Sequence, residues 1–320
     1  MTYSYDLARG GYIPAGSTTP QTGVSSNPYL INFDGTDTDK ENQLYINIAN
    51  YTCDANDLTM VCDKAGLFTI TQQSNGYSFV VKLNPSITRT DSRLNDNAKL
   101  TVTDPATDTT KEIYVKVIIP PLGSKTAPDA VGDIVFSDGT AEAYTATLTD
   151  LQKAEAVAII FDASTKKGVG LNVGTNLQWA GGDWSSNDPN RGYNMMFSTS
   201  DDDGSGNWAV IQARDPAGSA DSATWYPAFN WVNNYNAPGY TSGWYIPAKN
   251  ELLTLYTNRT TVEAAFSALG MTSPFTGEDV VSSSQSSSDT KFVVCRTWDS
   301  AGSGARKTSN FCVPAVRVFN

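Results

Sequence analysis

The chain has 320 residues, of which 40% are hydrophobic and only 17% are charged, and its formal net charge is −11. This balance argues against a nucleic-acid partner, because phosphate binding requires a basic face. The sequence has no histidine, which removes the most common general base and zinc ligand. No apolar run approaches the roughly 18 residues of a membrane-spanning helix, so we predict no membrane insertion.

Residues 1–28 predict an extended N-terminal tail, because Gly, Pro, Ser and Thr punctuate them. The tail is either a disordered terminus or a segment that docks on a neighbouring subunit. From residue 29 to 120, apolar and polar residues alternate in short runs, among them 44–51, 78–83 and 112–118. About seven such runs with regular turn signals and no helical pattern indicate an all-β immunoglobulin-like sandwich over residues 29–120.

A Pro-rich stretch at residues 121–130 predicts a linker, stiffened by paired prolines. All seven tryptophans follow it, so the composition changes abruptly at this point. Residues 131–320 then form a second predicted domain, of the α+β class. Within it, residues 171–240 are dense in Trp, Gly, Asn and Asp but have few periodic signals. They indicate either a functional loop region or irregular packed structure.

Three helices are predicted in the second domain. Thr149 and Gln152 fit a capping box at the start of the first helix, which should run to about Phe161. The second starts near Pro247, a residue that suits a first helical position. The third covers residues 261–269 and stops at Gly270.

Three segments in a fixed order carry a family resemblance: GWYIPAKNEL at residues 243–252, SSSQSSS at 282–288 and VPAVRVF at 313–319. They resemble motifs of the C-type-lectin-like domain shared by formylglycine-generating enzymes and a large family of bacterial and phage surface proteins. That family includes the variable proteins of diversity-generating retroelements. Pro314 departs from the arginine usual in the family. The first domain resembles, more loosely, the BACON immunoglobulin-like modules of gut bacteria and their phages.

The resemblance implies a binding face built from the last strands and loops. Its candidate ligand contacts are Trp298, Ser300, Arg306, Lys307, Ser309 and Asn310. Aromatic and arginine anchors dominate many interfaces, and Trp298 stands next to the turn of this hairpin. The alternative for Trp298 is a core position. The other tryptophans form either a sugar-stacking platform or the core of an irregular fold.

Four cysteines offer two candidate disulfides. Cys295 and Cys312 lie on strand-like runs on either side of a Gly-Ser turn, where a simple hairpin places them opposite each other. They form either a disulfide or two facing buried thiols. Cys53 and Cys62 flank a short polar segment and are the second candidate pair. The reactive cysteines of formylglycine-generating enzymes have no match here, so no catalytic residue is expected.

An acidic loop at residues 201–207, DDDGSGN, has the closely spaced oxygens typical of a calcium site. Asp201 and Asp203 are its candidate ligands. The loop is not an EF-hand, because Gln212 stands where a bidentate Glu is needed. The alternative is a solvated acidic loop, and no other cofactor is expected.

These features together predict a non-enzymatic binding protein exposed on a virion or on an extracellular bacterial surface. The leading hypothesis is a phage decoration, fibre or receptor-binding protein that presents a lectin-like head to a host glycan or protein. The tail or the immunoglobulin-like domain would then hold other virion or surface-assembly subunits. The alternatives are a secreted bacterial adhesin, a purely structural virion subunit, and an enzyme of the formylglycine-generating type, against which the missing histidine weighs.

Overall fold

The computed structural model describes residues 2–7, 22–33, 43–89, 91–181, 192–298 and 304–320. The chain divides into two compact units, Met1–Pro120 and Pro121–Asn320. Both units are rich in β-sheet, and the described helices all lie in the second unit apart from two short 3-10 turns.

The strands of the first unit are β1 (Thr2–Asp6), β2 (Tyr29–Asn32), β3 (Gln43–Ala49), β4 (Thr59–Cys62), β5 (Phe68–Gln72), β6 (Ser78–Leu83), β7 (Ala98–Asp104) and β8 (Thr109–Ile118). They form two four-stranded sheets, ordered β1-β3-β6-β5 and β2-β8-β7-β4. β1 runs parallel to β3, and β2 runs parallel to β8. Alternate residues of both sheets meet in one core, to which Ile46, Val81, Leu100 and Val115 belong.

The start of the chain belongs to this sandwich, which corrects the predicted tail. Tyr5 is fully buried and its hydroxyl donates to the Glu112 carbonyl at 2.9 Å. Leu7 is also buried in the same core. The prediction missed this strand because β1 has only five residues and small, turn-forming residues follow it in the sequence. Residues 8–21 of the predicted tail lie outside the described residues.

The strands of the second unit are β9 (Ile134–Phe136), β10 (Ala141–Glu142), β11 (Ala156–Asp162), β12 (Lys167–Leu177), β13 (Asp279–Gln285), β14 (Phe292–Thr297), β15 (Ala305–Arg306) and β16 (Phe311–Val318). Its helices are α1 (Asp150–Ala154), α2 (Asn207–Arg214), α3 (Pro216–Ala220), α4 (Ser222–Trp225), α5 (Pro227–Asn233), α6 (Lys249–Thr257) and α7 (Arg259–Ala268). The strands form one sheet in the order β10-β9-β11-β12-β16-β13-β14-β15.

Two hydrophobic cores lie on the two faces of this sheet. On one face α6 and α7 pack through Leu252, Leu255 and Phe266. On the other face the residues of α2 and α5 pack together with an aromatic cluster that contains Trp179. β16 serves both cores, because its successive side chains alternate between them: Cys312 joins the first and Val313 the second.

The first predicted helix is shorter than expected. The capping box is confirmed. The backbone N–H of Gln152 donates to Thr149 Oγ1 at 3.2 Å, and the side-chain oxygen Oε1 of Gln152 accepts from the backbone N–H of Thr149 at 2.8 Å. The helix nevertheless ends at Ala154, and β11 follows immediately. The other two predicted helices correspond to α6 and α7. Gly270 follows α7 with φ of 76°, the left-handed conformation that favours glycine.

Residues 121–130 are part of the second unit and are not a free linker. Leu122 is buried in the α6–α7 core. Lys125 exchanges two backbone hydrogen bonds with Ala141, and its ammonium group contacts the Asp133 carboxylate at 2.7 Å. The prolines that suggested a spacer therefore lead directly into an ordered segment.

Candidate binding site

The GWYIPAKNEL segment is built around one buried carboxylate. Glu251 accepts hydrogen bonds from the Ala248 amide at 2.7 Å, the Gly204 amide at 3.0 Å and the Tyr245 hydroxyl at 2.9 Å, and it forms an ion pair with Lys167. Burial, with Glu251 adjacent, raises the pKa of the Tyr245 phenol far above its usual range. These contacts tie α6 to β12, so the glutamate of this motif holds the framework together.

The serines of β13 also have structural partners. Ser282, Ser283 and Ser284 are all fully buried. The Asn207 side chain donates to Ser283 Oγ at 2.8 Å, and the Lys249 amide donates to Ser284 Oγ at 2.9 Å. The strand thus fixes the starts of α2 and α6 through hydroxyl groups, which suit a buried site only when they are hydrogen-bonded.

Trp298 is a core residue, so its predicted role as an exposed ligand contact is wrong. Its side chain is fully buried, with its ring 4.6 Å from that of Phe275 and 6.2 Å from that of Tyr256. The indole N–H donates to Glu263 at 2.6 Å. The residue follows β14 directly and its side chain enters the core beneath α6 and α7, where a large apolar ring is favoured.

Lys307 is likewise buried, which contradicts its predicted place on a binding face. Its ammonium group donates to the carbonyls of Gly192 and Met195 at 2.9 and 2.8 Å. It lies 4.8 Å from the ring centroids of both Trp179 and Phe197. Burial lowers the pKa of Lys307 to about 7. This lysine therefore anchors the segment that precedes Phe197 to the sheet.

The remaining predicted contacts differ in their exposure to solvent. Arg306 and Asn310 are exposed and Ser309 is half-buried, with the Ser309 amide donating to the Arg306 carbonyl at 2.9 Å. Ser300 lies outside the described residues.

All four cysteines are free thiols, so the predicted disulfides are absent. The simple hairpin does not form, because β13 lies between β14 and β16. Cys295 therefore pairs with Val281 and Cys312 with Val280, and the two thiols enter opposite cores. Burial raises the pKa of Cys295 to about 11 and that of Cys312 to about 12. Cys53 and Cys62, in the first unit, are also unbonded.

The acidic loop has side-chain and backbone partners of its own. Asp201 faces the Lys249 ammonium group at 3.3 Å, and Asp203 accepts from the Ser205 amide at 3.0 Å. In the part of the chain that the structure describes, no three residues of the His, Cys, Asp or Glu type gather as metal ligands. Calcium binding at Asp201 and Asp203 stays a prediction.

An open groove of about 550 Å³ lies between β12 and α5. We call it the asparagine groove, because the side chains along it include Asn172, Asn230, Asn234 and Asn236 together with Trp231. Trp231 is half-buried and forms part of the groove wall. None of the described residues that line the groove is charged.

Trp231 is held firmly by its neighbours. Its ring packs against that of Tyr235 at 5.1 Å, and Tyr235 in turn packs against Trp244 at 4.8 Å. β12 contributes Gly174 beneath the indole, where an added Cβ would lie only 2.9 Å from the ring. A rigid, half-exposed indole loses little conformational freedom when a ligand binds.

The groove combines two chemistries that suit an uncharged, hydroxyl-rich ligand. The indole offers an apolar surface. Asn230 Oδ1 already accepts from the Ser222 hydroxyl, and the Nδ2 groups of Asn234 and Asn236 each donate to a backbone carbonyl. A side-chain amide has two N–H groups and an oxygen with two lone pairs, so the four Asn side chains together keep further donors and acceptors. Its volume falls within the range of about 300–1,000 Å³ typical of small-molecule sites. For Trp231 the sequence leaves two alternatives, a core position and a sugar-stacking platform. The local signal that favours the second is the run NWVNNYN at residues 230–236, in which amides surround the aromatics.

Comparisons with family models, with curated proteins and with solved structures gave no match. Among the described residues, no helix has both the length and the apolar character needed to cross a membrane.

Proposed function

We propose that this protein is a non-enzymatic, surface-exposed binding protein whose second unit holds an uncharged glycan in the asparagine groove. The observation that carries the proposal is Trp231, a rigid half-exposed indole bordered by four Asn side chains in a groove whose described lining residues are all uncharged. In a chain with net charge −11, an uncharged groove favours a ligand recognised by stacking and hydrogen bonds.

The second unit is proposed to be a C-type-lectin-like domain. The support is that the motif residues cooperate in one framework: Glu251 links the GWYIPAKNEL segment to β12, and Ser283 and Ser284 link β13 to α2 and α6. The first unit is proposed to be an immunoglobulin-like module of the BACON type, supported by its two four-stranded sheets around one core.

The proposed setting is a phage virion, in which the protein serves as a decoration, fibre or receptor-binding subunit. The first unit would attach to other virion subunits, and the second would contact a glycan of the host surface. The low content of charged residues and the β-rich fold support an extracellular or virion setting.

A glycan array probed with the full chain tests the proposal. We expect neutral glycans to bind and sialylated or sulphated ones to bind no better than their neutral cores. Trp231→Ala should weaken binding of the best neutral glycan at least about tenfold, as for a typical aromatic anchor. Trp231→Phe should retain part of the affinity, and Asn172→Ala should weaken binding less than Trp231→Ala does.

Arg306→Ala and Asn310→Ala are the matched controls, because both residues are exposed in the hairpin that the sequence suggested. They should bind like the wild type. Unchanged affinity in a folded Trp231→Ala protein would refute the groove as the site. Weaker binding by the two control variants would instead return the site to the hairpin.

A further inference from the structure

A second cavity, of about 160 Å³, lies on the opposite flank of α5 from the asparagine groove. We call it the aromatic pocket. Trp208, Phe229, Trp244 and Tyr245 line it, and the exposed residues Gln212 and Asn233 contribute amide side chains. Residues 229, 232 and 233 of α5 line this pocket, whereas residues 227, 230, 231 and 234 line the groove. The two cavities therefore use different faces of one helix.

The aromatic walls are packed against one another, and the polar atoms of Trp244 and Tyr245 are engaged. Trp208 stacks on Phe229 with centroids 5.1 Å apart and an angle of 17°. The Trp244 indole donates to the Tyr240 carbonyl at 3.0 Å, and the Tyr245 hydroxyl donates to Glu251 at 2.9 Å. Both residues thus offer hydrocarbon surface to the pocket. The amide side chains that line it are those of Gln212 and Asn233, and the Ser205 hydroxyl and the Trp208 indole N–H are further polar groups of the lining.

The volume of the aromatic pocket and its uncharged lining restrict which chemical groups of a ligand can bind there. Its volume is below the roughly 300 Å³ at which small-molecule sites begin, so it suits one substituent of a larger ligand. None of its described lining residues is charged. The nearby Glu251 carboxylate is already engaged by Lys167 and by two amides. A charged substituent would lose its hydration without gaining a partner of opposite charge.

We infer that the aromatic pocket is a subsite for the acetamido group of an N-acetylated sugar, an inference that rests on the proposed glycan-binding function. The methyl group would contact the rings of Trp208 and Trp244. The planar amide would pair with the side-chain amides of Gln212 and Asn233, which supply both donors and acceptors.

The test follows the indole N–H signals of the ¹⁵N-labelled full chain by NMR, with Trp208→Phe and Trp231→Phe used to assign the two signals. The probes are glucose, protonated glucosamine, N-acetylglucosamine and N-acetylgalactosamine. We expect the Trp208 signal to move with at least one N-acetylated sugar, at a concentration at least about tenfold below that at which glucose moves it. Ala209→Leu should abolish that movement, because Ala209 is exposed and lines the pocket. Ala213→Leu, one turn later on α2 and also exposed, should leave it intact.

The two signals separate the two proposals. Movement of Trp231 alone would overturn the pocket and leave the groove standing, and movement of Trp208 alone would do the reverse. If no sugar moves either signal, both proposals are wrong. Movement of the Trp208 signal at lower concentrations of glucosamine than of N-acetylglucosamine would also overturn the inference, because the pocket would then be a cation site formed by aromatic faces. An Ala209→Leu protein that responds like the wild type would overturn it as well.

Discussion

Replacing Trp298 by Ala distinguishes a core residue from a ligand contact. The indole is fully buried against Phe275 and Tyr256, so its removal leaves a large cavity. Substitutions of this kind cost about 3–5 kcal/mol. The lost hydrogen bond to Glu263 adds little, because Glu263 is only half-buried and its carboxylate can be hydrated instead. With about 2–4 °C lost for each kcal/mol in a domain of this size, the midpoint of unfolding should fall by about 6–20 °C.

Intrinsic tryptophan fluorescence measures this change in the second unit alone, because all seven tryptophans lie in that unit. Trp298→Phe should fall between Trp298→Ala and the wild type, since it keeps a ring but loses the indole N–H. Leu253→Ala is the control, because Leu253 lies on α6 but is 39% exposed, and it should cost less than about 1 kcal/mol. A Trp298→Ala protein that melts within about 2 °C of the wild type would refute the reasoning.

Three further predictions concern buried polar groups and the thiols. Burial lowers the pKa of Lys307 from its usual 10.5 to about 7 in the folded chain, so between these two pH values the unfolded state binds one proton more. The free energy of unfolding measured in urea should therefore rise from pH 7 to pH 10, and Lys307→Met should remove this rise. If the two proteins show the same pH dependence, this lysine is solvated. Glu251→Gln should cost about 3 kcal/mol in urea unfolding, because it removes the carboxylate that pairs with the half-buried Lys167 and accepts two backbone N–H groups. A loss below about 1 kcal/mol would contradict the structural role of Glu251. Alkylation of the unfolded, unreduced protein should modify all four thiols, as counted by mass spectrometry. Fewer than four modified thiols would indicate a disulfide.

Local patterns were sufficient for much of the first unit and failed where every residue of a segment is apolar. Alternation located β3, β6 and β8, because one face of each strand is buried and the other is not. By contrast, residues 156–161 are all buried. Such a run fits the period of a helix and that of a strand equally well. The sequence therefore predicts that the capped helix continues through the residues that form β11.

The errors at the site have a different cause, which is the order of strands in the sheet. The hairpin expected between Cys295 and Cys312 assumed that neighbours in sequence also pair in space. β13 lies between β14 and β16 and runs parallel to β16. The sequence of the hairpin alone does not predict this pairing. Burial of Lys307 was also unexpected, since lysine is rarely buried. The asparagine groove depends on contact between β12 and α5, which are distant in the sequence.

The position of β16 also governs the order in which the second unit can fold. This strand lies between β12 and β13 and contributes to both cores, yet it follows all the other described elements in the sequence. Contacts between segments so far apart form slowly, because the long intervening chain must be ordered first. During synthesis the first unit can fold while the second still lacks its central strand. Until β16 is made, the side chains that pack on it in both cores lack that partner.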